Sequence, residues 1–359
     1  MMKSCFDYIL NEGKFMKSKP LYINDGKCIE PQLPLRMQAL GAFKSALEDG
    51  TLKLIENKCL CHNEHPENDI IISEKDRYGI AIPQVICSKC GLIRSGKVLD
   101  ETSNRIFYEK YYRKIYLSSG EIPAKTLFEN ESKRGKTVLN LIMKYISPNE
   151  ICSVAEVGCG AGGCLLPFKE AGMVVSGYDY DHDYLEYGKN MGLSLYYGDF
   201  YQLSEDNHYD LILLNHVLEH FLDPIKEIKN LFPKVKTGKY VYVEVPGIFN
   251  IHNDYYNPLR YFQNAHVYYF YKDYLITFFE QNGFDIIYGD ERCRFIVRKS
   301  TPYSKDVECI NSTNLSDYPF LINNYLRRVD KFQNYYMLKS EIRGILKRII
   351  FNVLNIRRF

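Results

Sequence analysis

The sequence predicts an α/β fold, a mostly parallel sheet that closes with an antiparallel hairpin. Three observations predict it. Residues 151 to 298 alternate short apolar segments with helical patterns, a glycine-rich turn follows the first segment, and the last two segments are joined too tightly for a crossover.

The elements read in order as follows. Ile151–Val157 is apolar and β-branched and breaks into Gly158-Cys159-Gly160-Ala161-Gly162-Gly163. Leu165–Ala171 is a short helix closed by Gly172, and Met173–Tyr178 is a second strand. Asp181–Met191 is a helix closed by Gly192, followed by the strands Leu193–Tyr197 and Tyr209–Leu214. Glu219 to Phe232 reads as a helix with Pro224 near its start. Lys239–Val245 alternates Tyr and Glu with Val, as a half-buried strand does. Residues 272 to 281 form a helix stopped by Gly283, and Phe284–Tyr288 and Cys293–Arg298 are the closing hairpin around Gly289 to Arg292. Seven strands with intervening helices imply right-handed crossovers up to that hairpin.

The rest of the chain divides around this core. Residues 1–125 are irregular and hold a cysteine cluster, 126–300 carry the sheet, and 301–359 open with a polar stretch and finish in a basic helical pattern. A net charge of +2 gives no reason to expect a nucleic-acid partner. No apolar run is long enough to span a bilayer, and the N-terminal segment lacks a signal-peptide core. Eleven Cys, an odd number at irregular spacing, favour reduced thiols and a cytoplasmic location over a disulfide framework.

The glycine turn carries the strongest chemical signal. In Glu156-Val157-Gly158-Cys159-Gly160-Ala161-Gly162, glycine lets the backbone approach a ligand where a Cβ would collide. Asp179 ends the second strand about 20 residues on, where a carboxylate accepts protons from a ribose diol. Asp199 follows the third strand, within reach of an adenine amino group, and Asn215-His216 follows the fourth. The turn alone fits two templates: the dinucleotide G-x-G-x-x-G of a nicotinamide oxidoreductase, and the E/D-x-G-x-G-x-G of an S-adenosylmethionine site.

The segments VAEVGCGAGG, GYDYD, YGDF, YDLILLNHVLEHFLDP and NAHVYYFYKDYLITFFEQNGF resemble consecutive motifs of class I S-adenosylmethionine-dependent methyltransferases, over about residues 135 to 298. The resemblance implies a Rossmann-like seven-stranded sheet. It also implies a cofactor held by Glu156, Gly158, Gly160, Gly162, Asp179 and Asn215, with Asp199 near the adenine. A methyltransferase fold kept as a non-catalytic binding module is the other class it allows.

Four polar residues fall where a methyl acceptor would lie: His216, Glu219, His220 and His266. The first three have the spacing of one helical face. They fit a structural turn, a general base or a divalent metal. Some metal-dependent methyltransferases have Glu-x-x-Glu-His here, and this chain has His216 in place of the first Glu. His220 and His266 are the candidate catalytic bases; His182, His208 and His252 read as surface or loop residues.

Cys59-Leu60-Cys61 and Cys87-Ser88-Lys89-Cys90-Gly91 lie about 25 residues apart, the pattern of a zinc ribbon at 57–95 with Cys59, Cys61, Cys87 and Cys90 as ligands. DRYGIAIPQVICSKCGLI followed by FYEKYYRKIY resembles the N-terminal region of sugar and glycan methyltransferases with such a ribbon. That implies a sugar acceptor, as nucleotide sugar or surface polysaccharide. The run Phe107 to Tyr116 suits either stacking on a sugar or packing on the sheet.

The apolar stripe Ile342, Ile345, Leu346, Ile349, Ile350, Val353 and Leu354, with Lys and Arg opposite, makes a basic amphipathic helix. It fits packing on the domain, pairing with a second subunit, or peripheral contact at the inner face of a membrane. The oligomeric state stays open.

Overall fold

A computed structural model describes residues 19–116, 123–198, 200–202, 209–300 and 307–343. The first part contains α1 (Pro34–Glu48), β1 (Leu54–Glu56), β2 (Ile70–Ser73), β3 (Gln84–Ile86), β4 (Ile93–Ser95) and β5 (Lys97–Leu99). Next come α2 (Glu101–Phe107), a π-helical turn at Tyr108–Tyr112, and α3 (Arg113–Tyr116).

The central part runs α4 (Ala124–Ile142), β6 (Ser153–Val157), α5 (Leu166–Glu170), β7 (Val174–Asp179), α6 (His182–Asn190), β8 (Ser194–Tyr197) and β9 (Tyr209–Asn215). It continues with α7 (Pro224–Leu231), β10 (Val235–Glu244), α8 (Ile251–Asp254), α9 (Pro258–Tyr261), β11 (Tyr268–Tyr269) and α10 (Lys272–Gln281). The antiparallel pair β12 (Phe284–Gly289) and β13 (Arg294–Lys299) and the helix α11 (Tyr318–Lys331) complete the elements.

The main sheet has the order β12-β13-β10-β9-β6-β7-β8. β6 through β10 pair in parallel, and β13 runs antiparallel between β10 and β12. The expected seven strands and closing hairpin are therefore present. The order reverses beside β6, the switch point at which such sheets place ligands beyond their carboxyl ends. β9, YDLILLN, is buried along its whole length, which explains its unbroken apolar run. Cores lie on both faces of the sheet.

Two sequence readings are corrected. The helix expected from Glu219 begins only at Pro224, because Asp223 caps it by accepting Lys226 N–H and Pro224 suits the first turn. Leu218–His220 is a separate 3₁₀ turn, and His216 before it has φ +52°. His216, Glu219 and His220 therefore do not share a helical face.

The N-terminal elements are knitted into the sheet domain. β2, β3 and β4 form an antiparallel sheet whose fourth strand, β11, comes from the loop after α9. Cys59, Cys61, Cys87 and Cys90 share one continuous core with Val243, Phe270 and Leu275. α11 packs beside the second cysteine pair, where a Cβ on Gly91 would stand 2.7 Å from Tyr318 Cβ. Of the C-terminal stripe only Ile342 is described, and it is exposed; the rest lies outside the described residues. No described helix is long and apolar enough to cross a membrane.

Candidate functional site

β6 delivers the glycine turn to the carboxyl end of the sheet. Gly158 and Gly160 have φ of +68° and +54°, conformations a side chain resists. The Gly158 and Cys159 amides both donate to Tyr178 O, at 2.8 and 3.1 Å, which ties the turn to the end of β7. Asp179, the next residue, accepts Gly160 N–H at 2.9 Å and Asp181 N–H at 2.9 Å. Each of its oxygens keeps a lone pair, and burial raises its pKa. Gly162, φ +77°, faces the other way: a Cβ there would meet Leu193 and Leu195. Its role is close packing against β8. Asp199 lies outside the described residues.

Glu156 and Asn215 end the adjacent strands β6 and β9. Asn215 Nδ2 donates to Glu156 Oε1 at 2.7 Å. Glu156 Oε2 and Asn215 Oδ1 are buried without a partner among the described residues. Such atoms in a sheet mouth are what a polar ligand would satisfy. Burial pushes the Glu156 carboxyl up from an ordinary 4.5 to about 8. The folded state thus holds this proton more tightly than the unfolded chain does. The stability it contributes is complete below about 4.5 and is lost as pH rises through about 8. Glu156→Gln, which keeps the neutral shape, is expected to melt higher than the parent at pH 8.5 and near it at pH 5. Thermal melts across that range check this; equal losses at both pH values would contradict it.

The histidines converge although no helix aligns them. His216 Nδ1–H donates to Glu219 Oε1 at 3.2 Å, and Glu219 is fully buried. His220 Nδ1 lies 2.9 Å from Ala265 O, so it carries the proton and Nε2 holds the lone pair. His266 Nε2 is 3.9 Å from Glu219 Oε1, and the His220 and His266 rings stand edge to face at 4.9 Å. Burial lowers the pKa of both rings, and for His266 the neighbouring His220 and Arg77 add to it. Both shifts favour the neutral rings.

The N-terminal region covers this mouth. Tyr108 Oη approaches His220 Nδ1 at 3.0 Å, and Tyr112 stacks on Tyr116 at 4.7 Å. Arg113 pairs with Asp181 and lies over the Tyr184 ring at 4.7 Å, beside the Asp179 end of β7. The loop carrying His266 is fastened from the same side. Asp76 accepts Asn264 N–H at 3.0 Å, Tyr116 donates to Asn264 Oδ1 at 2.7 Å, and Ser95 donates to His266 O at 2.9 Å. Tyr108 and Arg113 were not singled out individually in the sequence. The aromatic, basic run from Phe107 was the available signal, but only the fold shows which ring meets which partner.

The four cysteines meet as expected. The Sγ separations are 3.5 Å for Cys59–Cys90 and Cys59–Cys61 and 3.6 Å for Cys61–Cys87. All four lie within 4.8 Å of one another. Thiolates about 2.3 Å from a tetrahedral zinc stand at about such spacings, so the donor set fits that ion. Gly91 (φ +77°) and His62 (φ +46°) turn the chain after each pair. Burial works against the charge on Arg94, but the cysteine cluster and the Asp69 carboxylate outweigh it and raise its pKa. It pairs with Asp69 at 2.7 Å and offsets part of the charge four thiolates would bring.

Residues 121–288 match the family model described as a methyltransferase domain. No curated protein matches the chain. Among solved structures, the chain is similar to an S-adenosylmethionine-dependent methyltransferase from Methanosarcina mazei, at 18% identity over 45% of this chain and 98% of that one, TM-score 0.36. It is similar to an amino pentose methyltransferase from Micromonospora echinaspora, at 13% identity over 47% and 92%, TM-score 0.37. A third is the PH0226 protein from Pyrococcus horikoshii, at 15% identity over 47% and 90%, TM-score 0.38. The strand order and the glycine turn agree with that match: the sheet part of the chain has the Rossmann-like fold of class I, S-adenosylmethionine-dependent methyltransferases.

Proposed function

We propose that the protein transfers a methyl group from S-adenosylmethionine to a small-molecule or glycan acceptor, and that the acceptor is a sugar. The observation that carries the first part is the Asp179 carboxylate, which holds the Gly160 amide at the carboxyl end of the central strands. The cofactor supplies a methyl already activated on a cationic sulfur. The chain must bind it, align an acceptor and exclude water.

Gly158 and Gly160 let the main chain lie against the cofactor. Asp179 accepts the ribose hydroxyls on its remaining lone pairs. Glu156, nearly neutral when alone, ionises beside the cofactor's ammonium group, and Asn215 steadies that charge. His220 and His266 activate the acceptor, and Tyr108 and Tyr112 close the mouth. Stacked tyrosines there give a sugar ring apolar faces to lie on, which supports the sugar reading. Zinc in the four-cysteine cluster would serve structure, since all four positions are protein ligands.

The test is titration calorimetry. The parent is expected to bind S-adenosylmethionine, and Asp179→Ala to bind it about 10–150-fold more weakly, the loss of one charge-assisted hydrogen bond to a diol of roughly 1.5–3 kcal/mol. Binding of NADH without S-adenosylmethionine overturns the reading. Mass spectrometry of glycans and nucleotide sugars from cells with and without the protein checks the acceptor class. A methyl lost from another class of molecule would replace the sugar.

A further inference from the structure

The mouth of the sheet holds more unsatisfied chemistry than a structural turn requires. Glu219, His220 and His266 each present a ligand atom, and the three atoms lie within 4.8 Å of one another. Two imidazoles and one carboxylate, drawn from a turn after β9 and a loop before β11, are a donor set suited to a first-row divalent cation with positions left open.

The same division of labour recurs at all three residues. Glu219 has Oε1 fixed by His216 Nδ1–H, while Oε2 is buried without a partner among the described residues. His220 has Nδ1–H fixed by Ala265 O, which leaves the Nε2 lone pair free to coordinate. His266 has Nε2 against the Gln263 side-chain amide, while Nδ1 is buried without a partner. Gln263 Oε1 is also buried and unpartnered. Rotating that amide places Oε1 on His266 Nε2–H and leaves the lone pair on Nδ1. Metal-bound histidines characteristically donate their other ring N–H to a carbonyl or amide oxygen in this way.

We propose that Glu219, His220 and His266 bind a divalent cation, oriented by His216, Ala265 and Gln263. The proposal deepens the methyltransferase reading and rests on it for its purpose. The cation would hold the acceptor oxygen beneath the tyrosines, so that activation comes from its charge rather than from a ring nitrogen acting as base. Donors about 2.0–2.2 Å from a shared ion stand roughly 3–4 Å apart, a small inward adjustment for three side chains.

Manganese(II) is the probe, because it favours nitrogen and oxygen donors and leaves the thiolate cluster to zinc. The disappearance of the free-ion electron paramagnetic resonance signal counts bound manganese on the full chain. One ion per chain is expected. Glu219→Gln and His266→Gln are expected to weaken it by at least about 100-fold. His216→Gly removes a positioning ring without touching the ion, suits the positive φ there, and is expected to weaken it about 10–100-fold. It carries the comparison if a ligand variant does not fold. No uptake by the parent at millimolar manganese, or uptake unchanged in the folded variants, overturns the proposal. Calorimetry with S-adenosylmethionine on the same parent sample separates the two readings: cofactor binding without manganese binding sinks the cation alone.

Discussion

Cys87→Ser is expected to lower the zinc content from one ion per chain to near zero and to drop the melting midpoint by roughly 8–16 °C. Structural zinc sites contribute about 10–16 kcal/mol of apparent binding energy. Loss of a third of that, about 4 kcal/mol, produces such a shift in a domain of this size. The effect should not stay local. The cluster shares its core with β10 and α10, and β4 hands β11 its pairing partner. Tyr271 Oη donates to Cys90 O at 2.5 Å, a further tie from the sheet domain into the second cysteine turn. Ser95, at the end of β4, holds His266 O. Removing zinc should therefore also slow methyl transfer, by loosening the loop that carries His266. Elemental analysis of protein purified without added metal, followed by thermal melts, decides. Protein without zinc and a variant as stable as the parent would refute the zinc centre.

His220→Ala is expected to cut methyl transfer by about 10²–10⁴-fold while leaving S-adenosylmethionine affinity within about twofold. The first figure is the usual contribution of a group that activates an acceptor, whether as a base or through a cation it helps to hold. The second follows from placement: among the described residues His220 meets Ala265, Tyr108, Tyr112 and His266, with no hydrogen bond to the glycine turn or Asp179. Transfer of labelled methyl into glycan and nucleotide-sugar fractions of cells lacking the protein measures the rate, and calorimetry measures the affinity. Full turnover in the variant would remove His220 from the chemistry. Loss of cofactor binding along with turnover would show that the ring holds the site together instead. Tyr108→Phe, which keeps the ring and removes only the hydroxyl beside His220, is expected to change the rate less.

The central sheet was legible because its signals are local. Period-2 and period-3.6 patterns, breaks at Gly172, Gly192 and Gly283, and a hairpin too short to cross over define seven strands without reference to anything distant. The glycine turn and Asp179 were legible for the same reason, since one strand and one helix fix their separation. The cysteine pairs declared themselves by spacing. The helix boundary was misplaced at Glu219 because the apolar pattern runs on backwards through Phe221 and Leu222, while the Asp223 cap and Pro224 set the true start. That error put His216, Glu219 and His220 on a helical face that does not exist.

By itself, then, the sequence determined the fold class, the glycine turn with its acidic partner, and the four clustered cysteines. Only the tertiary structure decided how the N-terminal region is used. β11, two residues from the far side of the chain, completes the cysteine-bearing sheet, and Tyr108 and Arg113 close over the ends of strands more than 60 residues away. Nothing in local periodicity encodes such contacts, because they arise from burial shared between distant segments. The same holds for Glu219, His220 and His266. Their side chains meet because a 3₁₀ turn and a loop pinned by Asp76, Ser95 and Tyr116 are packed against each other, and packing of that kind is a property of the whole core.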